Sequence, residues 1–96
     1  MAERVERLDR LASVLDRAHE VHAVVTERAG GVDPEWALFY AWWLINWSDL
    51  PEILGRTPAL GELTAFLVAV DVRYRAAAPH EPWQAFYARE LLAQPA

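Results

Sequence analysis

The chain has 96 residues, a formal net charge of −5 and no cysteine. That length holds one domain, residues 1–96. The acidic balance disfavours nucleic acid and anionic membranes, which are gripped through Lys and Arg. Without thiols there is no disulfide and no Cys-based metal site, and with all nine basic residues arginine there is no Schiff-base lysine.

The first residues, Met1 to Arg7, alternate in charge and contain no apolar stretch of the kind a signal peptide needs. A cytoplasmic location is therefore expected. Residues 3–29 read as one long helix. Leu8, Leu11, Leu15, Ala18, His22 and Val25 fall on a common face at 3.6-residue spacing, with Asp9, Arg10, Asp16, Arg17, Glu20 and Arg28 opposite. Gly30-Gly31 stops this helix. Asp33 is the expected cap of a second helix, with Pro34 at its first position, running to about Trp47. Its run from Trp36 to Trp47 is the most apolar in the chain but falls short of the ~20 residues of a membrane span.

Ser48 to Gly55 reads as a short capped helical turn. Thr57-Pro58 opens a third helix, roughly 58–77, with Leu60, Leu63, Phe66, Leu67, Val70 and Tyr74 as its stripe. Pro79-His80-Glu81-Pro82 breaks it, and Pro82 opens a fourth helix through about Ala93. No segment alternates with the period of a strand, so the expected fold is all-α.

The chain repeats itself. Trp36 to Ile45 aligns without a gap on Trp83 to Leu92, with the shared pattern W-x-x-F-Y-A-x-x-L-[IL]. Upstream, Leu11, Leu15, Ala18, His19 and His22 align on Leu63, Leu67, Val70, Asp71 and Tyr74. An internal repeat constrains the whole fold. The expectation is a four-helix array of two helical hairpins with approximate twofold symmetry. Repeat one covers about 8–47, a linker turn 48–57, and repeat two about 58–93.

The blocks Asp33-Pro34-Glu35-Trp36 to Ala41 and Glu81-Pro82-Trp83 to Ala88 resemble a D-x-x-W-x-x-[WFY]-Y-A motif. It occurs in small, functionally unassigned, mainly actinobacterial helical proteins, where it follows a helix with spaced His residues. The resemblance covers about 30 residues of each half. It implies an all-helical fold and brings no reaction with it.

Several residues stand out as candidate ligand contacts. His19 and His22 are three apart and share a helix face. Their repeat partners Asp71 and Tyr74 hold the same positions on the third helix, so symmetry brings His22 near Tyr74 and His19 near Asp71. Two His and one Asp also form a conceivable metal set, but His19-Glu20-Val21-His22 is not H-E-x-x-H. The expectation is instead that His22 and Tyr74 are largely buried and hydrogen-bonded, to each other or to backbone, with Arg17 and Glu20 exposed. Tyr40 and Tyr87 lie in the repeated aromatic block. Glu90 falls within the apolar arc of the fourth helix, where the first repeat has Trp43. A carboxylate there needs a partner such as Arg73 or Arg75, or a wet pocket.

Leu38, Trp42 and Ile45 make a second apolar stripe, on the back of the second helix. Helix four has no counterpart, since Ala85, Arg89 and Leu92 stand there. Either the turn containing Leu50, Ile53 and Leu54 covers this stripe or a partner does, and a homodimer is expected. Five Trp, three Phe and three Tyr are also a heavy load for one small core.

There is no P-loop, no G-x-G-x-x-G and no nucleophile elbow around Ser13 or Ser48, so no cofactor or catalytic residue is assigned. The expected function is that of a non-catalytic binding or accessory protein, with an aromatic-lined pocket or seam for an apolar small molecule or a protein partner. The alternatives are a small enzyme using His, Glu and Tyr as acid–base groups, and a plain dimerisation module.

Overall fold

Apolar residues recur at helical spacing along most of the chain, and the backbone follows them. The computed structural model describes residues 2–28, 34–77 and 79–94. Five helices run in order: α1 (Ala2–Arg28), α2 (Trp36–Trp47), α3 (Leu50–Leu54), α4 (Leu60–Ala77) and α5 (Trp83–Leu92). No strand occurs among the described residues, and the protein is all-helical. None of these helices is long and apolar enough to cross a membrane. Gly30, Gly31 and Asp33, the expected stop and cap between α1 and α2, lie outside the described residues.

Helix starts sit one or two residues later than the prolines suggested. Pro34 and Glu35 form a turn, and the Glu35 carbonyl accepts the first bonds of α2 from the Leu38 and Phe39 amides, at 3.1 and 3.3 Å. Pro82 stays extended (φ −60°, ψ 149°), and its carbonyl accepts from the Phe86 amide. A residue whose carbonyl starts the ladder need not itself be helical.

The expected helical turn at Ser48–Gly55 is α3. Gly55 ends it at φ +80°, a left-handed conformation that glycine adopts without steric cost. The amides of Gly55 and Arg56 both donate to the Pro51 carbonyl. Arg7 of α1 then donates from Nε and Nη2 to the Ile53 carbonyl, at 3.1 and 2.8 Å. This pins the C-terminal end of α3, where the backbone carries partial negative charge.

α1 packs most extensively on α5, and α2 on α4. One core runs through these four helices. It buries Leu11, Leu15 and Ala18 of α1, Tyr40, Ala41 and Leu44 of α2, Leu63, Leu67 and Val70 of α4, and Tyr87, Ala88 and Leu91 of α5. Each large side chain hidden in this way contributes roughly 1.5–3 kcal/mol.

Val25 departs from its expected place on the buried stripe: it is 45% exposed. The reason is length. The 27 residues of α1 extend ~40 Å, whereas the 10 residues of α5 cover only ~15 Å. The apolar face therefore continues past its partner at both ends, and Val5 is exposed as well.

Candidate functional site

Spacing of three and four residues puts side chains on one helix face, and four helices use it to line a single pocket. His19 and His22 come from α1, and Trp36 and Tyr40 from α2. Asp71, Tyr74 and Arg75 come from α4, and Trp83 and Tyr87 from α5. The pocket encloses about 440 Å³, within the usual size range of small-molecule sites.

Two tyrosines anchor its walls. Tyr40 Oη and His19 Nδ1 share a hydrogen bond of 2.9 Å. Tyr87 donates its hydroxyl proton to Asp71 Oδ1, also at 2.9 Å. His19 and Asp71 occupy aligned positions in the sequence, as do Tyr40 and Tyr87. Burial pushes the Tyr40 phenol up to about 12. Burial also raises Tyr87, and the Asp71 carboxylate beside it raises it further. Both phenols are therefore neutral at physiological pH.

The remaining polar groups are held as well. Arg75 Nε donates to Asp71 Oδ2 at 3.0 Å, one turn along α4. His22 Nε2 shares a 3.3 Å bond with the Thr26 hydroxyl, and the His22 ring packs on Phe39 and Tyr40 with centroids at 5.2 and 5.0 Å. Tyr74 donates to the Glu81 carbonyl at 2.9 Å, with its ring edge-on to Phe86 and Tyr87. The Glu81 side chain in turn takes a bidentate grip from Arg89, at 2.6 and 2.8 Å. That bond holds the Glu81 carboxyl below the usual range and the Arg89 guanidinium above its own. Glu81 lies two residues before Trp83, so its two anchors fix the entry to α5. Trp83 then packs edge-on against both His19 and Tyr87.

Of the ligand contacts expected from sequence, His19, His22, Tyr40, Asp71, Tyr74 and Tyr87 come together at this pocket. Glu90 and Trp43 do not line it. Glu90 accepts from Arg73 Nε at 3.0 Å, the ion pair that a carboxylate on that face required. Trp43 is half-buried against the core. His22 and Tyr74 are half-buried rather than largely buried, and His19 is exposed, because their side chains form the wall of a cavity open to solvent. Arg17 and Glu20 are exposed as expected. His22 and Tyr74 do not bond to each other. Tyr74 takes the backbone partner described above, and His22 bonds within α1. Among the described residues no three His, Asp or Glu side chains converge on a position for a metal ion. His19, His22 and Asp71 thus do not assemble as a metal set.

Three lining residues were missed. Trp36 and Trp83 stand four residues before Tyr40 and Tyr87, and Arg75 four after Asp71. The same spacing rule reaches all three.

On α2, Leu38 and Trp42 are 41% and 44% exposed, and Ile45 is half-buried. Leu50 and Ile53 of α3 are buried in the core. Trp42 packs on Phe39 and on Trp47, which is itself exposed.

Comparison with known proteins yields no matching family model, no curated relative and no matching solved structure.

Proposed function

We propose that the protein is a non-catalytic binding protein whose pocket between α1, α2, α4 and α5 receives a small molecule with an apolar body. One observation carries this reading: ring walls from Trp36, Tyr40, Trp83 and Tyr87 enclose about 440 Å³, while both tyrosine hydroxyls are already committed to side-chain partners. Apolar walls with a few oriented polar groups suit binding.

The reading includes a four-helix array of two repeated hairpins related by an approximate twofold axis. Three observations support it. Most aligned core pairs are buried on both sides, as in Leu11 with Leu63, Leu15 with Leu67 and Leu44 with Leu91. Aligned aromatic pairs recur, Trp36 with Tyr40 and Trp83 with Tyr87. The dominant packing of α1 on α5 has its counterpart in α2 on α4. In this view the pocket lies where the two halves meet. We propose further that the exposed face of Leu38 and Trp42, with Ile45 at its edge, joins two copies of the chain.

Native mass spectrometry of the purified protein tests both proposals at once. A co-purified small molecule, lost in Trp83→Ala, is the expected result. Titration with naphthalene should also quench tryptophan fluorescence in the wild type and much less in the variant. A pocket that takes up neither a cellular molecule nor an added apolar probe would overturn the binding reading.

A further inference from the structure

Aromatic rings have a negative face and a positive edge, so a cavity onto which ring faces open favours a cation. Here the ring planes meet at steep angles: Trp36 and Tyr40 at 88°, Trp83 and Tyr87 at 72°. Consecutive planes therefore turn corners instead of stacking into a slab. The two corners approach each other where Trp83 comes within 6.4 Å of Tyr40, centroid to centroid.

The charged pair in the wall is asymmetric. The Asp71 side chain is 22% exposed, while that of its partner Arg75 is 78% exposed. Water screens the guanidinium far more than the carboxylate, which leaves the protein side of this pair negative. Tyr87 donates to the same carboxylate and holds it in place. Each Asp71 oxygen already accepts one hydrogen bond, so half of the carboxylate's acceptor sites are taken while its charge stays available. That suits a cation without N–H donors of its own. The net charge of −5 has the sign that attracts such a ligand.

On the footing of the binding reading above, we infer that the ligand is an organic cation: an apolar body bearing a fully substituted ammonium. The rings of Trp36, Tyr40, Trp83 and Tyr87 cage it, with Asp71 as its counter-charge.

The test compares three probes of similar size and different charge: phenyltrimethylammonium, its neutral carbon isostere tert-butylbenzene, and benzoate. Binding is read from tryptophan fluorescence and from the indole N–H signals of Trp36 and Trp83. The cation should bind about tenfold more tightly than the isostere, and benzoate most weakly. Asp71→Asn should weaken cation binding several-fold, with the ring cage keeping part of the preference over the isostere. Arg75→Gln, at an exposed and water-screened side chain, should leave cation binding at least as tight, because it removes a like charge. Equal affinity for cation and isostere, a preference for benzoate, or weaker cation binding in Arg75→Gln would overturn the inference and leave the pocket a binding site of another kind. If none of the three probes moves the Trp36 and Trp83 signals, the inference falls, and the binding reading falls with it where naphthalene binding and a co-purified molecule are absent too.

Discussion

Tyr87 gives its hydroxyl proton to Asp71 across 2.9 Å, and this bond fastens α5 to the α4 wall of the pocket. The tyrosine is buried and its acceptor is charged, a combination that makes a hydrogen bond stronger than a neutral pair. Tyr87→Phe keeps the ring and removes the bond. It should cost about 1.5–3 kcal/mol of stability in urea unfolding. A loss below the scatter of such measurements would mean that Asp71 finds an equal partner in water.

Tyr40 makes the stability sensitive to alkali. Its phenol is raised from the ordinary value of 10 to about 12 by burial, so the folded state holds this proton more tightly than the unfolded chain. The resulting stabilisation is complete below pH 10 and disappears as pH rises toward 12. The loss is on the order of 1–3 kcal/mol. Urea midpoints measured across this range should fall for the wild type, and less steeply for Tyr40→Phe. Tyrosinate absorbance should lag behind that of free tyrosine.

Arg7 should matter more to α3 than to the rest of the molecule. Five residues are too few to form a helix alone, and two guanidinium bonds hold its last turn. Arg7→Met keeps most of the packing of the stem and removes the donors. Hydrogen exchange at the amides of Ile53 and Gly55 should accelerate about tenfold, corresponding to ~1.4 kcal/mol. Amides in the middle of α4 should be unaffected.

Trp42→Arg should abolish self-association. An exposed Trp at the centre of an interface is a typical hot spot, and losing one costs on the order of 2–4 kcal/mol. In a twofold dimer the two arginines would also face each other. Sedimentation at several concentrations decides the matter. A wild type that stays monomeric at high micromolar concentration would end the dimer proposal.

Much of the architecture could be read from residue spacing alone. The stripe Leu11, Leu15, Ala18 on α1 has charged residues around it, so its buried face is unambiguous, whereas on α4 the stripe Leu63, Leu67, Val70 is flanked by Val68 and Val72, which are apolar but exposed. α2 has almost no polar residue from Trp36 to Trp47, and its phase is correspondingly hard to assign. Trp43 and Trp42 turn out to differ in burial for reasons set by neighbouring helices. The pocket lies beyond helical periodicity because its walls come from four helices. Spacing puts Tyr74 on the stripe of α4, but its half-burial and its bond to the Glu81 carbonyl depend on a loop path that spacing does not encode. Val25 shows the other limit: an apolar stripe records which way a helix faces, and not how far its partner reaches.

The pairing of α1 with α5 bears on how the protein is made. Synthesis proceeds from the N-terminus, and the last described helix supplies the main cover for the first. Until α5 has left the ribosome, the face of α1 that carries Leu11, Leu15 and Ala18 lacks its most extensive partner and has mainly α2 and α3 to pack on. The packing of α1 therefore waits on α5, and a chain interrupted after α4 leaves part of the apolar face of α1 uncovered. Such an intermediate is a natural client for a chaperone and a starting point for aggregation.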